Sequence, residues 1–240
     1  LTYASDLDLV YLFTGDFATE SDGARPLGAT QYFNRLAQRI GNSLSVPTAS
    51  GPLYEVDTRL RPFGAQGLLA ASVDSFGRYQ REEAWTWEHL ALTRARPIFG
   101  SREGCAAVGA VIHDVLTMER DEAALIRDSV KMRREMAKHK PPAGPLDVKL
   151  ADGGLVDLEF LVQVTQLRRR TGLLPDLGAS IRVLIGEGVL PPELAGAHDL
   201  LTRYLIVSRL VSPASTEPPE AARALVARRC GERNWEDLLV

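Results

Sequence analysis

Cysteine is nearly absent from this sequence. Cys105 and Cys230 are the only two in 240 residues, too few for a disulfide framework and without the spacing of a metal site. That usage fits a reducing cytoplasm. Long apolar runs are missing too: no stretch approaches the ~20 residues of a membrane span, and no signal-peptide pattern opens the chain. No membrane partner is expected. An excess of one charge is also lacking, because 28 Lys+Arg against 31 Asp+Glu leave a formal net charge of −3. This gives no ground for nucleic acid as the main partner. The local basic clusters Lys131-Met132-Arg133-Arg134 and Arg168-Arg169-Arg170 read as solvated helix faces. His113, His139 and His198 are scattered without metal spacing. What remains is ordinary globular composition, 45% hydrophobic and 25% charged, in a length that suits one large domain or two small ones. The chain starts at Leu1 rather than Met and enters a strand almost at once, so it reads as a fragment of something longer.

The most informative feature is a pair of aspartates, Asp6 and Asp8, at the mouth of the apolar run Leu7-Asp8-Leu9-Val10-Tyr11-Leu12-Phe13. Side chains alternate faces along a strand, so Asp6 and Asp8 point one way and Leu7, Leu9, Tyr11 and Phe13 point into a core. Two parallel carboxylates repel unless a cation lies between them. Oxygen ligands beside open space suit Mg²⁺, which typically takes one or two carboxylates plus substrate phosphates. A second strand is expected over Leu53–Leu60, between Gly51-Pro52 and Pro62, with Glu55, Asp57 and Arg59 on one face. If the strands are neighbours, Asp57 joins Asp6 and Asp8, the carboxylate set of a two-metal in-line displacement. Arg59 and Arg61 then lie near the phosphates, where a guanidinium binds bidentately. The plainer alternative is that Asp57 and Arg59 simply pair with each other.

Periodicity predicts an α+β chain in two parts: a small mixed unit over residues 1–100, then a helical bundle over 101–240. Helices are expected at Gln31–Leu44, Val73–Glu83 with Ser72 as N-cap, and Ala84–Arg96. Further helices are expected at Ala106–Met118, Glu122–His139, Leu155–Arg170, Gly178–Gly186, Pro192–Leu210 and Pro218–Arg229. Leu68–Ala71 reads as a short third strand and Leu146–Leu150 as an extended segment. Ser212–Pro219 reads as a linker.

Other polar groups allow two readings each. Asp157 and Glu159 stand roughly 200° apart on a helix and cannot both reach one site; Asp157 in the first turn also suits the helix dipole. Gly153-Gly154 either lets the backbone approach a nucleotide or forms a plain turn. Lys149 either contacts a phosphate or is an ordinary surface lysine. Trp85 and Trp87 read as core. His89 has no Ser or Cys nucleophile signature nearby.

Taken together, Ser5-Asp6-Leu7-Asp8-Leu9, Tyr54-Glu55-Val56-Asp57-Thr58-Arg59-Leu60-Arg61-Pro62, Tyr79 to His89, Thr93-Arg94-Ala95-Arg96 and Gly153 to Phe160 resemble glutamine synthetase adenylyltransferase, a bifunctional family with two related halves. Ala84-Trp85-Thr86-Trp87-Glu88-His89 is similar to the C-terminal, adenylylating half; the last ~70 residues resemble the family only loosely. The resemblance implies a DNA polymerase β-like nucleotidyltransferase core, Mg²⁺ on Asp6, Asp8 and Asp57, and ATP contacts from Ser5, Arg59, Arg61, Lys149 and Glu159. The family's Gly-rich phosphate element lies upstream of the first aspartate, and the chain begins without it. The implied reaction moves AMP from ATP to a tyrosine hydroxyl of glutamine synthetase, in the cytoplasm, in control of nitrogen assimilation. Alternatives are phosphorolytic deadenylylation, a related uridylyltransferase, or a non-catalytic docking module for glutamine synthetase or a PII-type signalling protein.

Overall fold

The structure, a computed structural model, describes residues 5–49, 51, 54–212 and 217–239. Leu53, where the second strand is expected to start, and 213–216 of the expected linker lie outside the described residues. The described chain mixes small sheets with helices and is mostly helical. It divides into two compact units, the first formed by Leu1–His89 with Arg96–Val115, the second by Leu90–Ala95 with Leu116–Val240.

Unit 1 holds two two-stranded parallel ladders. β1 (Leu7–Asp8) pairs with β3 (Val56–Asp57), and β2 (Tyr11–Phe13) pairs with β4 (Ala70–Ser72). The expected single strand over Leu7–Phe13 is therefore broken at Leu9-Val10, each half taking a different partner. Parallel neighbours need a crossover, which α1 (Ala29–Ser45) supplies in both cases. Phe13, Ala37 and Ala70 form the core beneath it, with Phe33 and Tyr11 packed alongside. The Phe13 and Phe33 rings stack at 4.5 Å. Asn34 locks α1 to β4: its Oδ1 accepts from Leu69 N (2.7 Å) and Ala70 N (3.1 Å), while its Nδ2 donates to Ala70 O (3.2 Å). These bonds satisfy backbone groups that the short ladder leaves open.

Ser72 caps α2 (Val73–Glu82) as expected, its Oγ accepting from Ser75 N at 3.1 Å. α3 (Thr86–Leu92) is shorter than the helix expected to reach Arg96. α4 spans Arg102–Thr117.

In unit 2, α5 covers Glu122–His139, the span expected. α6 (Leu155–Arg169), α7 (Leu177–Gly186) and α8 (Glu193–Val211) enclose Leu158, Val162, Ile181, Leu184 and Leu190. α9 (Glu220–Cys230) and α10 (Trp235–Leu238) add a cluster of Tyr204, Val226, Cys230 and Trp235. Leu146–Leu150 is not extended. It is a series of turns around buried Asp147, whose carboxylate accepts from the backbone N–H of Ala143, Lys149 and Leu150.

Candidate active site

The β1–β3 ladder sets the positions of the acidic groups. Leu7 N donates to Glu55 O and Leu9 N to Asp57 O, each at 2.8 Å, and the resulting register puts Asp8 opposite Asp57 and Leu7 opposite Val56. Residues opposite one another on adjacent strands share a face. Leu7 and Leu9 are half-buried whereas Asp6 and Asp8 are exposed. The alternation expected from the sequence thus holds at the point where it decides the chemistry.

Asp57 is engaged by Arg59. Its Oδ1 accepts from Arg59 N (2.8 Å) and Nε (3.0 Å), and its Oδ2 from Nε (2.8 Å) and Nη2. These side-chain bonds, helped by the charges of Arg59 and Arg61, hold the Asp57 carboxyl below the usual carboxylate range. The Arg59 guanidinium is raised above its ordinary value, first by its hydrogen bond to Asp57, then by the charges of Asp57, Asp8 and Asp6. One cationic group thus answers to all three carboxylates. Among the described residues no group of three or more His, Cys, Asp or Glu is gathered tightly enough to hold a metal ion.

The donors on this acidic face are of the kind a divalent cation takes, carboxylates on adjacent strands, but Asp57 spends both oxygens on Arg59, the pairing that the sequence offered as its plainer alternative. The Arg59 side chain is 78% exposed and that of Asp57 18%, so the pair has one end in water and one end against the protein.

Arg61 is spent on the loop between β3 and β4. Its Nη1 donates to Thr58 O (2.7 Å) and Thr58 Oγ1 (2.9 Å), its Nε to Gly67 O (3.2 Å) and its Nη2 to Ala65 O (3.2 Å). A Cβ at Gly67 would fall 1.9 Å from Pro62 O, so only glycine closes this loop. At its apex Phe63 holds φ +60°, a left-handed conformation that costs a bulky residue on the order of 1–3 kcal/mol. Its exposed ring contacts Tyr79 edge-on at 4.9 Å.

The tryptophans expected in the core lie at the surface instead, Trp85 at 70% and Trp87 at 40% exposure. The buried positions of that stretch belong to Glu88 and His89. Glu88 accepts from Tyr79 Oη and from Trp85 N, both at 3.1 Å, while His89 Nε2 meets Gln80 O at 2.8 Å. Glu88 thereby does half the work of a capping box, reaching back to the N–H before α3. Its three-residue offset from Trp85 was the signal that could have placed it.

Ser5, half-buried, lies just ahead of Asp6. Lys149 and Glu159 belong to unit 2. Lys149 is exposed, and Glu159 pairs with Arg94 at 3.4 Å. Asp157 is held by Arg133 Nε at 2.5 Å and by Gly153 N at 2.7 Å. A Cβ on Gly154 would meet Val148 O at 2.6 Å, so the glycine pair makes a tight turn here.

Residues 1–110 match the family model for glutamate-ammonia ligase adenylyltransferase, and residues 122–209 match that for GlnD PII-uridylyltransferase. The chain is 42% identical over 241 residues, 96% of its length, to the bifunctional glutamine synthetase adenylyltransferase/adenylyl-removing enzyme of Brucella suis biovar 1 (strain 1330). The chain belongs to the glutamine synthetase adenylyltransferase family. A member of the same name from Rhizobium meliloti (strain 1021) is 40% identical over 99% of the chain, and one from Shewanella loihica (strain ATCC BAA-1088 / PV-4) is 44% identical over 82%. The chain spans about a quarter of the length of these relatives. The adenylyltransferase match covers β1, β3 and the tryptophan stretch, whereas Gly153 to Phe160, the last stretch of the resemblance, falls within the uridylyltransferase match. Among the described residues, no helix is long and apolar enough to cross a membrane.

Proposed function

We propose that unit 1 is a nucleotidyltransferase core of the DNA polymerase β kind, from the adenylylating half of its family, and that it moves AMP from ATP to a tyrosine hydroxyl of glutamine synthetase. The observation that carries this reading is the register of Asp8 against Asp57 on adjacent strands. Asp6, Asp8 and Asp57 would hold Mg²⁺, which offsets phosphate charge and lowers the pKa of a nearby hydroxyl. The phenol oxygen forms a bond to the α-phosphorus, the bridging bond to the β-phosphate breaks, pyrophosphate leaves and the phenol proton passes to solvent. Beside a metal held there, the planar guanidinium of Arg59 would be shared between Asp57 and phosphate oxygens. Arg61 keeps the loop that carries Arg59 in shape. The reading rests on unit 1 residues alone and fits a cytoplasmic setting.

An Asp8→Asn change in an enzyme of the relatives' full length, carrying this chain, is expected to abolish AMP transfer to glutamine synthetase with an unaltered circular dichroism spectrum. Transfer near the wild-type rate would refute the assignment. Phosphorolytic removal of AMP is a second reading, because the relatives are named for both adenylyl transfer and adenylyl removal. Inactivating this segment alone separates the two, since only one direction is then lost.

A further inference from the structure

The loop between β3 and β4 and the turn between α2 and α3 frame a groove of about 340 Å³, whose lining includes Arg59, Phe63, Glu83, Trp85, Trp87 and Glu88. Exposed aromatic rings around a concavity mark a binding surface. Here the rings are presented by a frame that is itself fixed. Glu88 is 5% exposed and bonded to Tyr79 Oη and Trp85 N. Phe63 is held at φ +60° by a loop that Arg61 ties together and Gly67 alone can close. Arg59 joins the two regions, lining the groove while bonding Asp57. An occupant of the groove therefore lies against the residue that contacts the acidic face.

We propose that this groove receives the acceptor: the phenol ring of a protein tyrosine with its flanking peptide. The inference rests on the nucleotidyl-transfer reading above and names the acceptor side of that site. Indole faces and the Phe63 edge suit a planar ring. The charge balance selects which ring. The guanidinium of Arg59 is engaged by Asp57 and buried Glu88 by Tyr79 Oη and Trp85 N, so exposed Glu83 is the charge left to the lining. A lining of that sign disfavours a nucleotide polyphosphate and accommodates a neutral phenol, which can donate to a carboxylate.

The test uses Trp85→Ala, Trp87→Ala and Phe63→Gly in an enzyme of the relatives' full length. Trp85 and Trp87 are exposed, so their removal spares the core, and glycine accepts the backbone angle of Phe63. Binding of glutamine synthetase without nucleotide and steady-state KM values for both substrates are measured. The expected result is a roughly three- to tenfold weaker binding and higher KM for glutamine synthetase per ring removed, the KM for ATP staying within twofold and the melting temperature not falling. A raised KM for ATP with unchanged acceptor binding would overturn the proposal in favour of a nucleobase site. Unchanged binding of both would overturn it outright. The nucleotide-free binding arm keeps the outcomes separate: weakened binding by the variants upholds the groove even where the wild-type enzyme transfers no AMP, which counts against the transfer reading alone.

Discussion

Asp57 gives both of its carboxylate oxygens to the guanidinium of Arg59 while standing in register with Asp8 across the β1–β3 ladder. An exposed side-chain cation thus sits on the acidic face that the proposed function gives to Mg²⁺.

Arg59→Ala should therefore strengthen divalent cation binding. Removing the guanidinium takes the bonded counter-charge from Asp57, and the Arg59 side chain itself is largely exposed. Isothermal titration with Mg²⁺ is expected to show a several-fold tighter site and a melting temperature within a few degrees of wild type. Equal or weaker Mg²⁺ binding would argue against competition between Arg59 and the ion.

The same pair makes a pH prediction. The Asp57 carboxyl titrates below its usual range because Arg59 is bonded to it. A carboxylate whose folded pKa is depressed contributes stability above its unfolded pKa, about 3.9. That contribution disappears as pH falls through the lower, folded value. The difference in melting temperature between wild type and Asp57→Asn is expected to be constant from pH 7 to 5 and to shrink below pH 4. A difference that grows on acidification would reverse the sign and the explanation.

Asn34→Ala tests the joint between α1 and β4. It leaves Leu69 N, Ala70 N and Ala70 O without their side-chain partner. A loss of about 1–3 kcal/mol in urea unfolding is expected. A loss below about 0.5 kcal/mol would show that water replaces the amide at no cost.

Arg61→Lys keeps the charge and removes the planar fork that gathers Thr58 O, Ala65 O and Gly67 O. Backbone amides of residues 58–67 should exchange with solvent faster, while amides of α1 stay as protected as before. Unaltered exchange in the loop would mean that Arg61 is not what holds it.

The acidic face was legible in the sequence because it depends on a local rule. Alternation along β1 and β3 put Asp6 and Asp8 on one exposed face, and the ladder then set Asp8 against Asp57. Helix spans followed periodicity, as with Glu122–His139, and the Ser72 cap followed side-chain chemistry. What local rules cannot reach is choice of partner. The run Leu7–Phe13 has uniform strand character, yet its halves pair with strands about 50 to 60 residues further along the chain, and only tertiary packing decides the break at Leu9-Val10. The tryptophans went wrong for a related reason. Their size suggested burial, but Glu88 and His89 found enough hydrogen bonds to occupy the interior of that turn, which put Trp85 and Trp87 outside. Arg61 was read as a phosphate ligand from its place beside Arg59, whereas the carbonyls that engage it come together only once the loop has closed.

The most direct test of the central claim is Mn²⁺ binding followed by electron paramagnetic resonance for the wild-type chain, Asp8→Asn and Asp57→Asn. If the two aspartates share a cation, each single substitution should weaken binding at least tenfold. Wild-type affinity in both variants would contradict it.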